Sequence, residues 1–214
     1  MSTFRRRLMM SALGGVPDYS SWRGVFIEDI DGFLSTVDEW DGTRTPNGVA
    51  VLTDECRFVI ALGDVFEGYW IFVSQGTIKT DGLLVTTNSS VAMTDFNGIG
   101  NTQIMSSWQT DGDNPVKSCV NFVFPNGQRG FLGSAGEWYK VCQYHTEISN
   151  ALSACGETLS TYYWTSTVHT NDYNSYINML TLYLWSVGNN SLGYGDAMMD
   201  FLSCRAFTTL KSDS

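Results

Sequence analysis

Short apolar, β-branched runs bounded by turn residues recur along this chain and predict buried β-strands. The clearest are VAVL at residues 49–52 and FVIAL at residues 58–62. The chain contains 21 glycines and only 4 prolines. That balance suits many tight turns between short strands.

Two further strand-like runs are YWIFV at residues 69–73 and LLVTT at residues 83–87. They flank a Thr-Asp-Gly turn signal at residues 80–82. The arrangement predicts a hairpin inserted into the main frame at about residues 66–90.

The polar pattern that opens a helix is clearest at Ser134 and Glu137, which have the Ser-x-x-Glu spacing of a capping box. Gly156 then marks the expected end of the helix. One helical face carries the apolar positions between them. These positions are Trp138, Val141, Cys142, His145, Ile148 and Leu152.

Residues 113–124 contain two competing patterns. Asn114 followed by Pro115 is typical of a helix start, with an amide cap and proline at the first position. The residues that follow, VKSCVNFVF, alternate as a strand does. Periodicity alone leaves both alternatives open.

Towards the C-terminus, alternation and β-forming residues predict strands at residues 162–168, 179–185 and 204–208.

The amino-acid composition argues against some classes of function. The 214 residues carry a net charge of −10, which argues against a broad nucleic-acid-binding surface because phosphate binding requires clustered Lys and Arg. No segment approaches the roughly 20 apolar residues needed to cross a bilayer, so we expect no membrane insertion. The length indicates one domain or two small ones.

Five cysteines occur without a CxxC pattern or a Cys/His cluster of metal-ligand spacing. Their odd number favours small buried side chains and folding in a reducing cytoplasm. Residues 111–114 offer oxygen ligands but lack the twelve-residue EF-hand pattern. We therefore expect neither a cofactor nor a bound metal.

The first 21 residues form an arm that differs from the acidic body at residues 22–214. Three arginines flanked by apolar side chains make a short amphipathic handle for a partner protein. The alternative is a disordered, solvated start. The handle consists of Phe4, Arg5, Arg6, Arg7, Leu8, Met9 and Met10.

Three ordered segments resemble a known family: NGQRGFLGSAGEW at 126–138, YWTST at 163–167 and SCRAF at 203–207. They are similar to the C-type-lectin-like fold of formylglycine-generating-type domains and of variable proteins of diversity-generating retroelements. Gly133 stands where that family has proline. Segments 41–51, 58–62 and 97–102 also resemble family segments from gut Bacteroidales and their crAss-like bacteriophages.

The resemblance implies an α+β fold with small mixed or antiparallel sheets, about two helices and an extended N-terminal arm. It favours a helix after Pro115. It also implies that the two ends of the domain pair side by side, which would place Phe207 near the strand around Val51 or Phe58.

Two polar stretches, residues 169–176 and 189–196, form the candidate ligand-binding face. They combine flat aromatic rings with small hydrogen-bonding side chains, as antibody loops do. In retroelement-diversified relatives, mutated Asn codons give this residue set; the alternative is an ordinary polar loop. The candidate residues are His169, Asn171, Asp172, Tyr173, Asn174, Tyr176, Asn189, Asn190 and Tyr194.

Catalysis has less support in the sequence. Formylglycine-generating enzymes use cysteine chemistry, but strand alternation would place Cys204 and Arg205 on opposite faces, and no paired-cysteine arrangement is evident. His145 is expected on the buried helix face and His169 in the polar region. Their spacing indicates no Ser-His-Asp or Cys-His arrangement, so we expect no catalytic residue.

The resemblance therefore implies a non-enzymatic virion protein, a head or tail fibre or decoration subunit. Its arm would bind a capsid or other virion protein, its body would form a dimer or trimer, and its polar face would bind host-surface glycan or protein. The alternatives are a bacterial lectin-like adhesion protein and, with less support, a formylglycine-generating-type enzyme.

Overall fold

Two β-sheets and five short α-helices make up the part of the chain described by the computed structural model. The described residues are 16–69, 80–108, 113–170, 181–186, 191–196 and 201–213. The predicted arm at residues 1–21 lies largely outside these ranges, as does most of the predicted strand at residues 69–73.

The first sheet has six strands, and every pair in it is antiparallel. Its order is β2-β1-β3-β4-β11-β6. The strands are β1 (Gly24–Asp29), β2 (Leu34–Ser35), β3 (Pro46–Leu52), β4 (Arg57–Ile60), β6 (Phe131–Leu132) and β11 (Ala206–Thr208). The apolar runs at residues 49–52 and 58–62 thus form buried central strands, as predicted.

The second sheet has five strands in the order β5-β10-β7-β8-β9. It is mixed, because β10 pairs with β7 in parallel while the other named strands pair antiparallel. The strands are β5 (Phe66–Gly68), β7 (Tyr162–Thr170), β8 (Thr181–Ser186), β9 (Ser191–Asp196) and β10 (Leu202–Cys204).

The described residues contain five α-helices rather than the expected two. They are α1 (Ser89–Ala92), α2 (Gly98–Met105), α3 (Pro115–Asn121), α4 (Ala135–Gln143) and α5 (His145–Ala154). Two 3₁₀ turns, Val37–Glu39 and Lys211–Asp213, complete the chain. The α+β class is confirmed, and the helix count was wrong because three helices have only four to eight residues.

Asn114 starts α3 as the sequence indicates. Its side-chain oxygen accepts the backbone N–H of Lys117 at 3.0 Å, and Pro115 occupies the first turn. This cap and proline decide the competition at residues 113–124 in favour of a helix. The alternating pattern survives only in a short pairing of Val123 with Arg129.

The single helix predicted after Ser134 is two helices that meet at Tyr144, whose backbone is non-helical (φ −107°, ψ 27°). The break has a packing cause: α4 packs on β7 and β8 of the second sheet, whereas α5 packs on β1 and β3 of the first. One straight helix would not cover both. His145 consequently begins α5 half-exposed, and its predicted burial was wrong. Gly156, with φ +83°, ends α5 as expected.

Phe207 lies on β11, between β4 and β6 of the first sheet. β11 pairs with β4, placing Phe207 opposite Ile60, and the Phe207 and Phe58 rings lie 4.9 Å apart. Trp138 of α4 packs edge-on against Phe207 at 5.1 Å and stacks on Tyr163 at 4.3 Å. This aromatic core confirms the predicted proximity of Phe207 to Phe58, and it joins the first sheet, α4 and the second sheet. The predicted side-by-side pairing of the two ends was wrong, because β3 and β4 lie between the first described strand, β1, and the last, β11.

Two predicted strands differ in the structure. In the 83–87 run, Val85 makes one parallel bridge with Val168, and Gly82 forms the predicted turn with φ +88°. The strand expected at residues 204–208 is interrupted at Arg205. The residues before it belong to the second sheet and those after it to the first, so Arg205 marks the crossing between sheets.

Candidate ligand-binding face

Two of the nine predicted face residues lie in the described part of the chain, His169 on β7 and Tyr194 on β9. The other seven fall outside the described residues, as do all seven residues of the predicted handle. The seven face residues are Asn171, Asp172, Tyr173, Asn174, Tyr176, Asn189 and Asn190. The seven handle residues are Phe4, Arg5, Arg6, Arg7, Leu8, Met9 and Met10.

The structure brings His169 and Tyr194 into contact. Their ring centroids lie 4.2 Å apart with an interplanar angle of 17°, which is a stacked pair. Strand β8 lies between their two strands, and strands two apart are separated by about 10 Å. The two side chains must therefore lean towards each other across β8, on the same face of the sheet.

The stacked pair is accessible from one side. Tyr194 is 65% exposed, and His169 is half-buried beneath it. Burial lowers the pKa of the His169 imidazole, which favours a neutral ring at pH 7. The result is a flat, uncharged aromatic surface of the kind that binds ligands by ring contact.

The start of α4 supports the strands that carry this pair. Leu192, two residues before Tyr194, packs on Ala92 and Ala135. Thr167, two residues before His169, accepts the backbone N–H of Ala135 at 2.9 Å. We call the stacked rings of His169 and Tyr194 the aromatic face.

A buried carboxylate fixes the loop below the aromatic face. Asp95 Oδ2 accepts hydrogen bonds from Thr167 Oγ1 at 2.6 Å and from Asn101 Nδ2 at 2.9 Å. Its backbone oxygen accepts the N–H of Gly136 at 2.9 Å. Asp95 thus joins β7, α2 and α4, a role that no sequence motif indicated.

The predicted capping box forms at the start of α4. Glu137 Oε2 accepts the Ser134 N–H at 2.7 Å, and Ser134 Oγ lies 2.9 Å from Glu137 Oε2 and 2.6 Å from Asp95 O. Burial, with a smaller contribution from nearby Asp95, raises the pKa of Glu137 to about 7. The Ser134 hydroxyl has one hydrogen and can donate to only one of these two oxygens. When it donates to the Asp95 carbonyl, a protonated Glu137 can donate the hydrogen bond to Ser134 Oγ.

The crossing between the sheets is held by an ion pair between the buried Arg205 and the partly exposed Asp64. Arg205 Nε donates to Asp64 Oδ1 at 2.7 Å, and Arg205 Nη2 donates to the Thr158 carbonyl at 2.6 Å. The Tyr163 hydroxyl and the Ser160 hydroxyl also donate to Asp64. This geometry gives Arg205 a structural position, and Asp64 was not foreseen from the sequence.

Cys204 and Arg205 have different partners, since Cys204 contacts Cys119 in the core whereas Arg205 binds Asp64 and the Thr158 carbonyl. Cys204 and Cys119 are both fully buried, and their Sγ atoms lie 3.0 Å apart. Burial, followed by the contact with Cys119, raises the pKa of the Cys204 thiol, which disfavours the thiolate needed for nucleophilic chemistry. The sequence did not indicate this pair because 85 residues separate its members.

A cavity of about 290 Å³ lies between α5 and residues 158–161. His145, Ser149 and Ser153 line one side of it, and Ser149 Oγ lies 3.4 Å from His145 Nε2. The cavity is separate from the aromatic face, because none of its lining residues belongs to β7 or β9, the strands that carry His169 and Tyr194. It explains why His145 is half-exposed.

Among the described residues, no group of three or more His, Cys, Asp or Glu side chains lies close enough together to hold a metal ion. In the same ranges, no helix combines the length and apolar character required to traverse a membrane. Comparison with protein-family models, curated proteins and solved structures gives no match. The resemblance to the C-type-lectin-like family therefore depends on the sequence segments alone.

Proposed function

We propose that this chain is a non-enzymatic adhesion protein of a bacteriophage virion, a head or tail fibre or decoration subunit with a C-type-lectin-like body. The aromatic face binds glycan or protein on the host surface, and the handle at residues 4–10 binds a capsid or other virion protein. Dimers or trimers increase the strength of a weak single site.

The observation that carries the adhesion part is the exposed Tyr194 ring stacked on a neutral His169. A rigid aromatic side chain offers large contact area at a small cost in conformational entropy. Two polar segments adjoin it in sequence, residues 171–176 and 189–190. These segments contain side chains suited to hydrogen bonding, and we propose that they extend the aromatic face.

Binding to intact bacteria tests the adhesion part. Labelled full-length protein is incubated with gut Bacteroidales cells, and Tyr194→Ala is compared with Tyr162→Ala. Tyr194 is 65% exposed and Tyr162 is 42% exposed, but Tyr162 lies at the start of β7, at the end opposite to His169. We expect a loss of at least tenfold in affinity for Tyr194→Ala only. Equal binding by all three proteins would contradict the proposal.

Deletion of residues 1–12 tests the virion part separately. The truncated chain is expressed during infection, and its incorporation into purified particles is measured against the full chain. We expect incorporation to fall sharply while binding to cells persists. Unchanged incorporation would remove the anchoring role, whereas absence of the full chain from the particles would leave the bacterial adhesion protein as the better candidate.

A further inference from the structure

The contact between Cys119 and Cys204 is a reactive arrangement that the adhesive role does not use. Cys119 lies in α3 and Cys204 ends β10, so the pair joins a helix to the crossing between the two sheets. Their Sγ atoms are 3.0 Å apart, and a disulfide bond requires a further approach of about 1 Å.

We propose that Cys119 and Cys204 are a modification site, a dithiol that a small peroxide-class oxidant converts to a disulfide within the folded protein. The thiolate of one cysteine attacks the peroxide O–O bond and becomes a sulfenic acid, and one water leaves. The second thiol attacks that sulfenic sulfur, the S–S bond forms, and a second water leaves. Two thiols and one hydrogen peroxide thus give one disulfide and two waters.

Burial determines the rate and selectivity of this reaction. Both side chains are fully buried, and protonated thiols react slowly, so a small oxidant should act more readily than a bulky disulfide. The other three cysteines, Cys56, Cys142 and Cys155, are free thiols as well, and Cys119 and Cys204 are the pair whose sulfur atoms lie 3.0 Å apart. The cross-link would close a loop of more than 80 residues and restrict the unfolded chain.

The position of the pair gives the cross-link a structural effect. Cys204 directly precedes Arg205, and the backbone oxygen of Cys204 accepts the Val65 N–H at 2.8 Å. A bond to Cys119 would therefore fasten α3 to the segment that leads from one sheet to the other. The protein would fold as a dithiol in a reducing compartment and gain stability under oxidising conditions.

Peptide mapping of the full-length protein tests this inference. Reduced protein is treated with hydrogen peroxide, free thiols are alkylated under denaturing conditions, and the digest is analysed by mass spectrometry. We expect a linked peptide pair containing Cys119 and Cys204, with the other three cysteines available for alkylation or singly oxidised. We also expect an upward shift in the unfolding temperature that a reductant reverses.

Two variants complete the test. Cys119→Ala should lose both the linked peptide and the temperature shift, whereas Cys142→Ala, also buried, should keep both. If Cys119→Ala fails to fold, the wild-type peptide map still decides the question. Absence of the Cys119–Cys204 peptide, or a linkage between other cysteines, would overturn the inference, and neither result depends on ligand binding.

Discussion

At the scale of single residues, Glu137 combines a structural role with an unusual protonation equilibrium. Its pKa rises from 4.5 to about 7 on folding, chiefly through burial. The folded state therefore holds a proton that the unfolded state has released between those two values. By linkage, this group's contribution to stability is present at low pH and is lost as pH rises through about 7.

Glu137→Gln should flatten that part of the pH dependence. We expect the difference in unfolding free energy between wild type and variant to change by about 3 kcal/mol from pH 5 to pH 8. The measurement is urea unfolding at several pH values. Glu147→Gln, an exposed substitution in α5, serves as control, and an equal change in that variant would contradict the assignment.

The ion pair of Arg205 shows how burial changes the contribution of an ion pair to the free energy of unfolding. Its side chain is 2% exposed and pairs with Asp64, whereas the ion pair of Arg23 with Asp54 lies at the surface. Removing Asp64 would leave the buried Arg205 charge uncompensated, which costs about 3 kcal/mol or more. Exposed pairs contribute about 1 kcal/mol or less.

We therefore expect Asp64→Ala to lower the unfolding free energy by about 3 kcal/mol and Asp54→Ala, which removes the surface partner of Arg23, to lower it by less than about 1 kcal/mol. Chemical denaturation of both variants measures the difference. Similar losses for the two variants would show that the ion pair of Arg205 with Asp64 does not hold the crossing between the sheets.

At the scale of elements, the Gly-Glu-Trp segment has a steric reason for its glycine. A Cβ atom at Gly136 would lie 2.4 Å from the Asp95 carbonyl oxygen, too close for any side chain. Gly133 is similarly restricted, since a Cβ there would meet the Phe207 ring at 2.8 Å. The approach to α4 is therefore shaped by close packing against the loop at Asp95 and the closing strand.

Gly136→Ala and Gly156→Ala separate steric crowding from backbone strain. Gly156 has φ +83° but open space around it, so alanine there should cost only about 1–2 kcal/mol. Gly136→Ala must displace backbone and should cost about 3 kcal/mol or more. Thermal or chemical unfolding compares them. A milder effect at Gly136 would mean that the loop at Asp95 moves aside easily.

Local signals predicted these elements unevenly. The cap at Ser134 and the apolar strand runs were sufficient to locate α4, β3 and β4. After Pro115 the local pattern left a helix and a strand open, and only the family resemblance favoured α3. The break at Tyr144 was not predictable, because it arises from α4 and α5 packing on different sheets. The interruption at Arg205 likewise depends on a distant partner, Asp64.

At the scale of the whole molecule, the sequence predicted the α+β class and the position of Phe207 beside Phe58, whereas the predicted pairing of the two ends was wrong because β3 and β4 separate β1 from β11. It also placed His169 and Tyr194 among the same candidate residues, although not their contact across β8. The buried network of Asp95 and the Cys119–Cys204 contact were missed. Both join residues far apart in sequence, and neither has a characteristic local motif.

The central claim is that the body presents the aromatic face outward while the N-terminal arm binds a particle. Electron cryomicroscopy of particles of a phage that encodes this chain tests it most directly. The account predicts copies of the protein at the particle surface, with residues 1–21 against a virion protein and Tyr194 facing solvent. Absence from the particle, or a Tyr194 face buried against it, would contradict the account.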